Sequence, residues 1–293
     1  MLWAETVIWP KKLLVVGADG ALGQAACAHF AALGVTVIGT SRRRGDDHHY
    51  LDLTVPASWE VLPEVDAALI CAGVTSIVDC AQDPAGSKQV NVRGTVGLAA
   101  KLSSQGVFVL FLSSNQVFDG AISHRTRDSH PCPVSEYGRQ KALGEAGMRH
   151  VIDRENGAIL RLTKVMTSDA PVVQAWRRDL EAGRRIGPFS NLPIAPISLK
   201  FALETMEVVL SDRLSGIFHA SSQEDSSYLS LAHVVAEQEN ADPALIQPVE
   251  AVAGSIGFDS LPRFSSLDMQ LEVSEFDLQP PKAKEVFRSV VAG

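Results

Sequence analysis

The sequence is short of the features that mark several large classes of protein. Only four of its 293 residues are cysteine: Cys27, Cys71, Cys80 and Cys132. Their spacings contain no CxxC and no histidine cluster accompanies them, which argues against a zinc site or a disulfide framework, so no metal is expected. No apolar run approaches the ~20 residues of a membrane-spanning helix. The opening, MLWAETVIWPKKLLVVGADG, places its lysine pair after the first apolar stretch and not before it, so it does not read as a signal peptide. Positive charge is scarce. Lys and Arg number 26 against 34 Asp and Glu, a net charge of −8, whereas a general nucleic-acid binder needs a basic face to meet phosphate. Internal repeats and low-complexity segments are missing too. What remains is an ordinary globular composition, 46% hydrophobic and 20% charged, in a chain long enough to bury roughly 75% of its unfolded surface. The expectation is a soluble, cytoplasmic protein whose partner is a small molecule, with neither nucleic acid nor membrane involved.

The apolar runs alternate with helical texture. Residues 12–18, KLLVVGA, read as a buried strand ended by glycine. An Ala-rich helix over 21–33 and a second strand over 35–41 follow. Strand, glycine turn, helix and strand within about 30 residues form a βαβ unit. Further strands are expected at 67–71, 107–114 and 158–162, with helices near 85–104 and 136–150. Such alternation implies a parallel sheet with helices on both faces. Beyond about 165 the texture changes. Helices are expected over 175–186, 199–212 and 281–291, a loop over 187–198 and a short strand over 216–221. The division expected is a NAD(P)-binding domain over 1–165 and a mainly substrate-binding lobe over 166–293, with the segment near 215–221 returning to the main sheet.

Gly17, Gly20 and Gly23 lie in GADGALG, between the first strand and the first helix. At that place Gly17 allows a sharp turn, Gly20 leaves room for a pyrophosphate over bare backbone, and Gly23 lets the helix pack on the sheet. Asp19, Ala21 and Leu22 complete a dinucleotide-binding loop. The second strand ends in Ser41, Arg42 and Arg43. NAD sites usually put a carboxylate here, whereas an arginine fork suits a ribose 2′-phosphate. NADP is therefore the expected cofactor. Asp46 and Asp47 keep NAD open as the less favoured choice, and a solvated basic loop is the alternative for the arginines. Asp52 is placed to accept from an adenine amino group and Leu53 to pack on the ring, unless Asp52 only caps a turn.

Tyr137 and Lys141 stand at i and i+4 in SEYGRQK, on one face of a helix. An ammonium at that spacing favours the phenolate and lowers the tyrosine pKa. Tyr137 then exchanges a proton with a substrate oxygen while hydride moves at carbon. Ser113 and Ser114 end the strand VFVLFLSS, where ligands of parallel sheets bind. Ser114 is the candidate donor to a carbonyl, and a capping role suits Ser113 better.

With these pieces in view, the chain resembles the extended short-chain dehydrogenases/reductases, and within them the dTDP-4-dehydrorhamnose reductase (RmlD-type) family. GADGALG, CAGVTSIVDCAQDP, VNVRGT, FLSSNQVFDG, EYGRQK and LRLTK carry the likeness in family order across most of residues 12–165. The resemblance implies a Rossmann-type α/β fold with a smaller C-terminal substrate-binding lobe. It implies Ser114, Tyr137, Lys141 and Asn91 as the catalytic set, and Cys71, Ala72 and Gly73 as cofactor contacts. Val74, Thr75, Asn115 and Gln116 fall near the substrate pocket. The activity implied is NADPH-dependent reduction of a keto group on a nucleotide-linked sugar.

Several positions depart from the family. The family commonly reads STDYVFDG where this chain reads SSNQVFDG, so Asn115 replaces a carboxylate and Gln116 an aromatic ring. Arg127 stands where Glu is frequent, Lys164 where Trp is usual, and Ser198 near a usual Asp. Lys164 is a candidate contact for a phosphate or carboxylate. These changes leave room for two alternatives. One is a related epimerase/dehydratase-superfamily enzyme on another substrate. The other is a non-catalytic NADP-binding regulatory subunit, like that of methionine adenosyltransferase. Nothing in the sequence marks an oligomer interface, and a homodimer is compatible with it.

Overall fold

A computed structural model of the chain describes residues 9–45, 47–152 and 155–292. Asp46 lies outside the described residues. Strand β1 (Lys12–Val16) leads through the glycine loop into α1 (Ala21–Ala32), then β2 (Thr36–Ser41) and β3 (His49–Tyr50). Next come β4 (Ala67–Ile70), α2 (Ile77–Gln82), α3 (Pro84–Lys88), a π-helical stretch at Gln89–Gly94, α4 (Thr95–Ser104) and β5 (Phe108–Ser114). Helix α5 (Glu136–Val151), β6 (Gly157–Leu162), β7 (Lys164–Met166) and α6 (Pro171–Glu181) follow. The remainder is β8 (Pro193–Ile194), β9 (Pro196–Ser198), α7 (Leu199–Ser211), β10 (Gly216–Ala220), β11 (Ser226–Ser227), α8 (Tyr228–Gln238), α9 (Gln270–Phe276) and α10 (Ala283–Ala292).

Seven strands form one sheet in the order β10-β6-β5-β4-β1-β2-β3. From β3 to β5 every neighbouring pair runs parallel. This is a Rossmann-type α/β fold. The order reverses at β1, with β2 on one side and β4 on the other. Sheets of this kind take ligands beyond the strand ends at that reversal. Every residue of β4 and β5 is buried, and every residue of β1 except Lys12. Burial on both faces is why these strands read as unbroken apolar runs and not as alternation.

The loop expected over 187–198 holds the short strands β8 and β9, and three further elements differ from the sequence reading for local reasons. β1 ends at Val16 because Gly17 turns the chain at φ +88°. The helix expected over 85–104 is interrupted by the π-helical stretch, a wider turn that recurs at functional sites. α6 starts earlier than expected, with Pro171 in its first turn, where the missing N–H costs nothing. It ends before Gly183, whose φ is +66°.

The chain forms two compact units that interleave in sequence. The first takes in the chain up to Ser113, Gln140–Leu160 and Leu203–Phe218. Its core packs Leu14, Ile70, Leu98, Phe111 and Met148. The second comprises Ser114–Arg139, Arg161–Ala202 and the chain from His219 onward. There Trp176 of α6, Val235 of α8 and Phe287 of α10 share a core. Among the described residues no helix is long and apolar enough to cross a membrane.

Candidate active site

In the first unit, the loop after β1 opens on a cleft of about 310 Å³. Its three glycines differ in what they make possible. A Cβ on Gly17 would press to 2.9 Å of Ala72, and one on Gly23 to 2.1 Å of the Gly17 carbonyl oxygen. Both positions are closed to a side chain by the protein's own backbone. A Cβ on Gly20 would meet only that carbonyl, at an ordinary 3.5 Å. Packing therefore does not require glycine at position 20. Gly20 is exposed and precedes α1 with no side-chain cap. The first-turn N–H groups, those of Ala21 and Leu22 among them, have no intrahelical partner and suit an anion.

Asp19, Arg42, Arg43, Asp52, Leu53, Cys71, Ala72, Gly73 and Val74 line the same cleft. Val16, Thr54 and Val90 line it as well, three residues not singled out as cofactor contacts in the sequence. Ser41 is buried, and its Oγ accepts from the Arg43 N–H at 3.0 Å. Arg42 and Arg43 reach solvent, with Arg43 Nε 3.3 Å from Asp19 Oδ2. Asp52 does cap a turn. Its Oδ1 accepts from the Thr54 N–H and hydroxyl at 2.8 and 2.7 Å.

Lys141 is buried in the same unit, and its Nζ donates to the Leu112 carbonyl at 2.9 Å. A Cβ on Gly73 would stand 3.9 Å from that nitrogen and 3.1 Å from Asn91 Oδ1. The two side chains thus converge on the Gly73 side of the cleft. Burial lowers the Lys141 pKa to about 8, opposed by the nearby Cys71, Glu145 and Cys80. Burial also pushes the Cys71 thiol up to about 12, so it stays protonated. Glu145, one turn beyond Lys141 and fully buried, accepts from Ser113 Oγ at 2.6 Å. Ser113 is therefore engaged in the core. Tyr137 lies one turn before Lys141 on α5 and is itself buried. Thr75 is exposed.

In the second unit Ser114 Oγ accepts from the Gln116 N–H and donates to Asn115 Oδ1, both at 3.2 Å. The Asn115 amide donates to the Ser265 carbonyl at 3.0 Å and hydroxyl at 2.8 Å. A carboxylate here would have no proton to give the Ser265 carbonyl, so it is the amide that ties Asn115 to this loop. Asn115 and Gln116 line a small pocket with Arg125 and Phe264. Two of the other departures, Arg127 and Ser198, have partners too. Arg127 stands 3.5 Å from Glu272, a buried carboxylate whose pKa is raised by desolvation. Ser198 accepts from the Phe201 N–H at 3.1 Å at the start of α7. His219 is buried beside Arg161, and desolvation, with smaller contributions from Arg161 and Arg127, lowers its pKa to about 3. Lys164 heads β7 opposite Pro196 of β9 and reaches solvent, yet the protein around it keeps its pKa below the usual lysine value.

The chain matches one family profile, the RmlD substrate binding domain, over residues 11–292. The chain belongs to the RmlD substrate binding domain family. Its relatives have several roles. A Haloferax volcanii protein named "Probable low-salt glycan biosynthesis reductase" is 27% identical across 92% of this chain and 94% of its own. The dTDP-4-dehydrorhamnose reductase of Streptomyces griseus is 28% identical across 88% of this chain and 85% of its own. The methionine adenosyltransferase 2 subunit beta of Rattus norvegicus is 24% identical across 84% and 77%. Among solved structures, the Bacillus anthracis dTDP-4-dehydrorhamnose reductase in complex with NADP superimposes with a TM-score of 0.83. It covers 96% of this chain and 98% of its own at 18% identity, which shows the shared fold.

Proposed function

We propose that this RmlD-family chain is an oxidoreductase that uses NADPH to reduce a keto group on a nucleotide-linked sugar. The observation that carries the reading is the buried Lys141 beside Gly73, one turn from Tyr137, in a chain that matches the family over residues 11–292. The cleft fits a dinucleotide on its own terms, since Gly20 keeps an uncapped helix terminus open where packing does not ask for glycine. Gly17, Gly20 and Gly23 would pass the pyrophosphate, Asp52 and Leu53 the adenine, and Ser41, Arg42 and Arg43 the 2′-phosphate. The bound cofactor supplies a hydride. Tyr137 gives its proton to the substrate oxygen, and Ser114 donates to that same oxygen. Lys141 holds the nicotinamide ribose and favours the tyrosinate. Asn91 fixes the loop at Val74, and Val74, Thr75, Gln116 and Lys164 contact the substrate. Residues 1–165 serve mainly the cofactor and most of 166–293 the substrate.

The test is NADPH oxidation with a panel of dTDP- and UDP-linked 4-keto sugars. Turnover of at least one member supports the reading, and turnover of none with intact NADPH binding overturns it. Similarity to a methionine adenosyltransferase subunit, together with the altered Asn115 and Gln116, favours a non-catalytic NADP-binding subunit as the second reading.

A further inference from the structure

Gln140 lies between Tyr137 and Lys141 in the EYGRQK motif and is fully buried. Its Nε2 donates to Ser87 Oγ at 2.8 Å and to the Pro84 carbonyl at 3.3 Å. Its Oε1 accepts from Asn91 Nδ2 at 2.8 Å. Asn91 then grips both polar groups of one residue: Nδ2 donates to the Val74 carbonyl and Oδ1 accepts from the Val74 N–H, each at 2.8 Å. Val74 lines the dinucleotide cleft. Asn91 itself sits in the π-helical stretch. A side-chain amide can grip the N–H and C=O of one residue in only one orientation, because donor and acceptor exchange places when it flips. The acceptor oxygen of Gln140 takes the second Nδ2 hydrogen and so favours that same orientation, in which Asn91 holds Val74.

We propose that Gln140 is a positioning residue for the cofactor, holding the Asn91 amide in the one orientation that fixes the Val74 edge of the dinucleotide cleft. Ser87 completes the relay by turning the Gln140 amide with its oxygen towards Asn91. A buried network of this kind gains from full satisfaction and loses heavily when one member is removed. The proposal rests on the dinucleotide part of the functional reading and not on the sugar.

Titration of NADPH into the full chain tests it. Gln140→Leu should weaken NADPH binding at least tenfold, and Ser87→Ala about threefold. The double variant should bind no worse than Gln140→Leu alone, because both act through one chain of bonds. Thermal unfolding is read alongside, since a merely structural glutamine would lower the unfolding temperature without moving the dissociation constant. Folded Gln140→Leu with parental NADPH affinity overturns the proposal, and so do effects of the two variants that multiply. If Gln140→Leu does not fold, Ser87→Ala decides alone, with unchanged affinity as the overturning result. Failure of the parent to bind NADPH would instead strike the functional reading.

Discussion

Arg43 already has a carboxylate, Asp19, at 3.3 Å, while Arg42 has no ion-pair partner among the described residues. A 2′-phosphate would compete with Asp19 for the first arginine and meet the second uncontested. Arg42→Ala should therefore lose more NADPH affinity than Arg43→Ala. The loss should be about tenfold or more, the size of a missing charge-assisted bond. NADH affinity should be nearly unchanged, and paired titrations with the two cofactors check both claims. Tyr137→Phe removes one hydroxyl and keeps the ring. Turnover should fall by roughly 10²–10⁴, the usual share of a general acid, with NADPH binding close to the parent's. Normal turnover in that variant would end the proton-transfer scheme. At this scale much was legible, since GADGALG, the Tyr137–Lys141 spacing and Arg42–Arg43 are local. Gln140 was not. Its partner Asn91 is 49 positions away, and only folding brings the two amides together. The same holds for Asn115 and Ser265, 150 positions apart.

The glycine loop and α1 separate two kinds of glycine. Gly23→Ala forces a Cβ to 2.1 Å of a backbone oxygen, and overpacking of that kind costs about 1–3 kcal/mol. Gly20→Ala meets no such contact and has an extended backbone that alanine tolerates. It should leave the unfolding temperature nearly unchanged and weaken NADPH binding at least tenfold. Thermal melts and titrations of the two variants should show opposite patterns. On α5, pH should move activity and stability in opposite directions. Lys141 has a pKa of about 8 when folded against an ordinary 10.5. Turnover should fall as pH rises through about 8, because the ammonium that favours tyrosinate is lost. Between those two values the unfolded chain holds a proton that the folded chain has released, so the Lys141 contribution to stability grows with pH. The folded Cys71 thiol keeps its proton above its ordinary 9.0 and opposes that trend. Melts of the parent against Lys141→Met between pH 8 and 9 isolate the lysine. Long buried strands could be read from their unbroken apolar runs and α5 from its helical spacing, whereas two-residue strands such as β3, β8 and β11 carry too few side chains to show a pattern.

Taken as a whole, the molecule carries −8, so an anionic ligand must find its cations locally. Arg161 is fully buried, Arg177 pairs with Glu239 at 3.0 Å and Arg184 with Asp179 at 2.7 Å. Lys164 has no ion-pair partner among the described residues. Neutralising Lys164 should weaken sugar-nucleotide binding and flatten its salt dependence, while Arg184→Ala should do neither. Titrations at two ionic strengths decide between them. The interleaving of the two units has a practical consequence for protein engineering. Three separate stretches of chain build the second unit. β10 begins within the stretch that closes the first unit and ends in the second. A gene cut after residue 165 would deprive the first unit of Leu203–Phe218, which holds most of α7 and the start of β10, so neither unit is one contiguous fragment of the chain. Recombining this protein with a relative would require three grafts at once, which leaves point changes around existing loops as the accessible route to a new substrate.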